Sequence, residues 1–290
     1  MRLVLLFSLL ATLWSSALEV ASLHPLLTDV IKEVGGPQVK VVEIGKPKFD
    51  VHRFQPSAKD VRAMSRCAII FASGKGIETY LPGLTDSLSS GQKVVEVGRT
   101  IPSQRVSAED AVYACCPTHT HGAIDPHWWH NVRNMQRAAG VIARELASAD
   151  PANAGVYKAR GKQVDKDLKN LNSWVKGQIG QIPRGQRHLV TSHAAFGYFC
   201  KAYGFKASFV QGLSSDGEIS SRQLAETIRQ LRAEGIKAVF PEVGSNPKVL
   251  SQIAKSSGAR VSQPLVADGA VADYQTMIQR NVSNIVAALK

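Results

Sequence analysis

The feature that most constrains this chain is a rhythm. Short β-rich runs alternate with helical patterns in two series, and a long strandless stretch separates them. In the first series the β-rich runs fall at 18–22, 39–44, 67–72 and 94–97, with helical patterns at 25–34, 57–65 and 76–88. In the second they fall at 188–191, 205–210, 237–240 and 260–262, with helical patterns at 195–203, 220–234, 247–256 and 274–289. Such alternation calls for parallel sheets, because a parallel partner needs a crossover and a helix supplies it. The punctuation agrees: Gly35-Gly36 stops the first helix, and Ser57 with Asp60 three residues on is a helix-start signature. Residues 151–182 carry no β pattern. Val156, Val164, Leu168, Leu171 and Val175, set among many Lys and Gln, predict one long helix with a single apolar face, weakened by Gly155, Gly161 and Gly177. The expected fold is α/β, with two βα lobes of parallel sheet joined by one long rigid helix. The divisions fall at 18–150, 151–182 and 183–290.

Composition narrows the class. With 290 residues, 44% of them hydrophobic, the chain can bury a sizeable core. The net charge of +12 is scattered with no dense basic run, which reads as solvated helix faces and not as a nucleic-acid site. Met1-Arg2, an apolar run over 3–14 and Ser15-Ser16-Ala17 form a secretory signal peptide, residues 1–17, cut after Ala17. No Cys stands near that cut to take a lipid, so a periplasmic protein is expected. No other stretch is long and apolar enough to span a membrane. Cys67 and Cys200 lie in apolar elements and are expected to be buried. Cys115-Cys116, close before His119 and His121, leave open a loop disulfide, free thiols or a soft-metal site.

The chemistry gathers at strand exits. In parallel α/β sheets, ligands bind beyond the C-terminal ends of the strands. Asp50-Val51-His52 follows the second strand, and Asp125-Pro126-His127 follows the fourth strand and its loop. Thr191-Ser192-His193 follows the fifth strand, and Ala267-Asp268-Gly269 follows the last. Three imidazoles and a carboxylate make the donor set of a tetrahedral zinc-type site. Singly, each has a plainer reading: His52 at the surface, His127 as a cap, His193 as a core histidine, Asp268 as a turn residue. Their matching loop positions are what carry the metal reading. Asp125-Pro126 further reads as a helix start, with His127 in the first turn of a helix that runs to about residue 149. Glu242, at a strand end, is a fallback ligand, a partner of a ligand, or a salt-bridged cleft carboxylate.

Several stretches resemble one family. His52-Arg53-Phe54-Gln55-Pro56-Ser57 is similar to the His-x-Tyr/Phe-Glu/Gln-Pro-Thr/Ser motif of the zinc- and manganese-type solute-binding proteins of ABC transporters. Asp125-Pro126-His127-Trp128-Trp129 is similar to their Asp-Pro-His-x-Trp motif. The stretch from Gly74 to Glu78, Ser192-His193-Ala194-Ala195-Phe196-Gly197-Tyr198, and Tyr274-Gln275-Thr276-Met277 with Asn281 also resemble the family. The likeness covers nearly all of 18–290, in family order. It implies two lobes bridged by a rigid helix, with metal held between them by His52, His127, His193 and Asp268. A His at the third ligand position goes, by this resemblance, with zinc, whereas Glu is common in manganese binders. The sequence departs from the family at His130, Asn131 and Val132, where Leu, Asp and Pro are usual, and in a shorter loop after Asp268.

The resemblance implies an exported, monomeric zinc-binding protein that hands its ion to a membrane ABC permease. A manganese- or iron-binding member and a metal-dependent adhesin are the alternatives. A zinc hydrolase would also use three His. However, the chain has no His-Glu-x-x-His and no Glu at a general-base spacing, so the expectation is no enzyme. His119 and His121 read as a capture pair or as solvated loop histidines, and Glu218 as structural.

Overall fold

The computed structural model describes residues 17–47, 50–88, 91–106, 122–210, 220–269 and 273–290. Residues 1–16, which hold nearly all of the expected signal peptide, and Cys115, Cys116, His119, His121 and Glu218 lie outside the described residues.

The first series builds β1 (Leu18–Ser22), α1 (Pro25–Gly35), β2 (Val39–Glu43), α2 (Ala58–Met64), β3 (Ile69–Ala72), α3 (Leu81–Asp86) and β4 (Lys93–Glu96). Its sheet is wholly parallel in the order β2-β1-β3-β4, with Val20 opposite both Val41 and Ile69. Central β3 reads Ile-Ile-Phe-Ala and is buried along its whole length, as a strand covered on both faces must be. Ser57 and Asp60 form the expected capping box at α2.

Two long helices follow, α4 (Val132–Ala149) and α5 (Ala154–Ile179). The second series then builds β5 (His188–Thr191), α6 (Gly197–Tyr203), β6 (Lys206–Phe209), α7 (Ser221–Ala233), β7 (Ala238–Val239), α8 (Lys248–Ser257), β8 (Arg260–Val261) and α9 (Tyr274–Leu289). β5 pairs with β6 and β7 with β8, both in parallel. A parallel bridge between Thr191 and Phe240 joins the two pairs, and Phe240 N–H donates to the Val190 carbonyl at 2.8 Å. The resulting order, β6-β5-β7-β8, repeats that of the first sheet. The α/β fold with two parallel lobes and one long linking helix is therefore the observed one.

The linking helix α5 has 26 residues, so it is about 39 Å long at 1.5 Å per residue. It packs against α1 from the first series, against α4, and against α9 from the second series. Tyr157, Val164, Leu168, Leu171, Val175 and Ile179 recur on its buried side at helical spacing. Gly161 lets α4 come close, since a Cβ there would stand 2.7 Å from the Ala143 Cβ. A single buried cluster contains Phe71 and Trp128 from one half, Leu168 from the linker, and Phe199, Phe240 and Met277 from the other. The halves thus share a core.

Two local expectations fail. Asp125-Pro126 does not start a helix: Trp128–His130 forms a short 3-10 turn, and α4 begins only at Val132. Asn131 is its cap, accepting from Arg133 N–H at 3.0 Å, while the Asp125 carboxylate is engaged by His127 instead. The helix expected over 76–88 shortens to α3, because Gly74, Lys75 and Gly76 all take positive φ and turn the chain first.

Candidate metal centre

His52 sits in the turn after β2, and Asp50 Oδ1 accepts from its backbone N–H at 2.9 Å. His127 is fully buried just before the 3-10 turn. The paired tryptophans that follow pin this turn to both halves. Trp128 Nε1 donates to Ser73 Oγ at 3.0 Å, and Trp129 Nε1 donates to the Ala267 carbonyl at 2.8 Å, next to Asp268. Tyr274 OH donates to the Trp129 carbonyl at 2.6 Å. His193 leaves β5, and Thr191 Oγ1 donates to its carbonyl at 2.8 Å.

These elements bring the four sequence-selected residues together. His52, His127, His193 and Asp268 each offer a ligand atom, and all four atoms lie within 4.8 Å of one another. His127 Nε2 is 3.2 Å from His52 Nε2, 3.8 Å from Asp268 Oδ1, and His193 Nε2 is 3.9 Å from Asp268 Oδ2. Two nitrogens on one tetrahedral zinc would be roughly 3.3 Å apart, given bonds of about 2.0 Å. The first pair already has that span, and the carboxylate needs a small inward shift. His193 Nε2 and Asp268 Oδ1 are buried without a hydrogen-bond partner. Orphaned polar atoms of ligand type converging on one point fit a cation, which would replace the proton on His193.

The opposite ring nitrogens are held. Asp125 Oδ1 accepts from both His127 N–H and Nδ1–H, each at 2.8 Å. Glu242 accepts from His193 N–H at 3.1 Å with one oxygen and from its Nδ1–H with the other. Holding Nδ1–H turns each Nε2 toward the shared point: on neutral His127 it leaves the lone pair free, whereas on His193 an ion must first displace a proton. Of the three readings of Glu242, the fallback ligand is set aside: its carboxylate is salt-bridged to the far side of the His193 ring, where it holds that ring in place. Electrostatics differ between the rings. Burial drives His127 well below the ordinary histidine range, helped by His193 and His52. Burial also opposes charge on His193, but the charge and hydrogen bond of Glu242, with Asp268 and Asp125, outweigh it and raise it to about 9. Burial raises Asp268 to about 6, against the pull of His193.

Two further histidines, His24 and His130, lie at the edge of this cluster; neither was among the ligand candidates read from sequence. His24 leaves β1 as His193 leaves β5, with Ser22 Oγ donating to its carbonyl at 3.0 Å. Its Nδ1 accepts from Leu26 N–H, so it caps α1, and its ring lies 4.5 Å from Trp129. The matching spacings Ser22-x-His24 and Thr191-x-His193 were the available signal. His130 is buried 4.3 Å from the Phe196 ring. Burial lowers both His24 and His130 to about 3. Cys67 and Cys200 are buried, as expected.

The chain is similar to known proteins over nearly its whole length. Residues 20–288 match the family model described as zinc-uptake complex component A, periplasmic. The manganese-binding lipoprotein MntA of Bacillus subtilis is 26% identical over 284 residues, covering 94% of this chain and 90% of that protein. The zinc-binding protein TroA of Treponema pallidum is 27% identical over 277 residues, covering 91% and 86%. The solved structure of the periplasmic zinc-binding protein TroA superposes with a TM-score of 0.83 at 25% identity, covering 95% of this chain and 99% of that one. A manganese-bound periplasmic metal-binding protein from Candidatus Liberibacter asiaticus shares the fold, with a TM-score of 0.82 at 22% identity and coverage of 94% and 99%.

Proposed function

Because the chain belongs to the zinc-uptake complex component A family, metal-binding substrate-binding proteins of ABC transporters, we propose that its cargo is zinc, bound by His52, His127, His193 and Asp268. The observation that carries this reading is the convergence of their four ligand atoms within 4.8 Å. Three imidazoles and one carboxylate suit zinc, with its tetrahedral preference and borderline softness. The protein is exported to the periplasm by cleavage after Ala17, works as a monomer, and passes the ion to a membrane permease without catalysing a reaction. The lobes are 18–150 and 183–290, with 151–182 as the link.

Manganese is the second reading, because relatives of similar identity are named as manganese-binding. Native mass spectrometry with elemental analysis decides between them. One zinc per chain, lost in His193→Ala, supports the proposal. Manganese retained in that variant overturns it.

A further inference from the structure

α6 follows the His193 loop directly, and its first two residues reach across to the half that carries His127. The Tyr198 hydroxyl accepts from Gln104 N–H at 2.9 Å and donates to the Pro102 carbonyl at 3.1 Å. Gln104 in turn accepts from Asp125 N–H at 2.9 Å through its carbonyl. A short antiparallel ladder continues this pairing, with Arg105 opposite Ile124 and Val106 N–H donating to the Ala123 carbonyl at 3.0 Å. One residue earlier, Gly197 lies so close to Asp125 that a Cβ there would stand 2.7 Å from Oδ2. Asp125 is the carboxylate that aligns His127. A covalent path therefore runs from ligand His193 to Tyr198. A hydrogen-bonded path continues from Tyr198 through the 102–104 strap to Asp125 and ligand His127.

We infer that Gly197 and Tyr198 form an inter-lobe latch, positioning Asp125 and through it His127, so that the histidines of the two halves act as one unit. The inference rests on the metal-binding role of His127 and His193 proposed above. Neither latch residue is among the four clustered ligands. Tyr198 is 5% exposed, so its hydroxyl bonds are made away from bulk water, where a lost partner is most costly.

The test compares Tyr198→Phe with Tyr203→Phe. Tyr203 is on the same helix, and its hydroxyl donates to Asn172 Oδ1 on the linking helix at 3.0 Å, away from the strap. Each variant keeps its ring and loses a buried hydroxyl. Two quantities are read on the full mature chain: the zinc dissociation rate, and the His127 Nδ1–H proton resonance in metal-free and zinc-loaded protein. Tyr198→Phe is expected to raise the dissociation rate about tenfold and to shift or broaden the His127 signal in both states. Tyr203→Phe is expected to leave both near wild type. Equal effects from the two variants, or an unmoved His127 signal in Tyr198→Phe, would overturn the latch. Gly197→Ala is the second variant, expected to displace Asp125 and disturb the same resonance; a wild-type signal there counts equally against it. The metal-free resonance is readable whatever ion binds, so failure of the zinc reading and failure of the latch are distinguishable.

Discussion

Glu242 receives both N–H groups of His193, backbone on one oxygen and ring Nδ1–H on the other. A carboxylate has two acceptors and satisfies both donors at once. An amide of the same shape has only one acceptor oxygen, and its NH2 must then face a donor or force the ring into the tautomer that blocks Nε2.

Glu242→Gln is therefore expected to change the pH dependence of zinc binding. In the wild-type protein, with His193 near 9, zinc must displace a proton, so affinity should climb about 50-fold from pH 7 to pH 9. The variant should give a much flatter profile and bind roughly 10- to 100-fold more weakly at pH 9. Competition titrations across this range check it. Parallel profiles would mean Glu242 does not govern His193. The ordinary imidazole value of about 6.5 would place the fall in affinity below about pH 6; Glu242 moves it well above neutrality.

The metal-free protein should be most stable in the weakly acidic to neutral range. His193 has a folded pKa above its unfolded one. Its contribution, about 3 kcal/mol, is fully present below pH 6.5 and lost as pH rises through 9. His24 and His130 lie at about 3, below their unfolded value, so their shifts remove stability as pH falls from 6.5 toward 3. Urea titrations at pH 5, 6.5 and 9.5 read both flanks. Stability that keeps rising to pH 9.5 would contradict the His193 assignment.

The two helical glycines at the α4–α5 crossing should respond with opposite signs. Gly140 has open space where a Cβ would go, so Gly140→Ala should stabilise by about 0.5–1 kcal/mol through helix propensity. Gly161→Ala sets its Cβ 2.7 Å from that of Ala143, and overpacking should cost about 1–3 kcal/mol net. Thermal melts of both variants decide the matter, and equal shifts would refute the close crossing.

Zinc binding should change the overall dimensions little. The halves share one buried core, and α5 packs against elements of both. Small-angle scattering should give a radius of gyration near ~19 Å, changing by only a few per cent with metal. A large compaction would require the shared core to open. Zinc at 100 times its dissociation constant should still add about 2.7 kcal/mol of stability.

Much of this was legible in the sequence because it depends on local periodicity and on position along the chain. The alternation of strands and helices, the long α5, the capping box at Ser57 and the closing helix Tyr274–Leu289 all depend on residues close in sequence. So does the placing of His52, His127, His193 and Asp268 at strand exits, since a strand's direction tells which end its loop leaves from. What Asp125, Glu242 and His24 do depends on contacts between distant segments. Asp125 has the sequence signature of a helix cap, yet its carboxylate serves His127. Glu242 reaches a histidine 49 residues away. Tyr198 grips a strap 94 residues earlier. Local pattern sets where a side chain starts; only the packing of the two sheets on a common helix decides where its polar atoms meet.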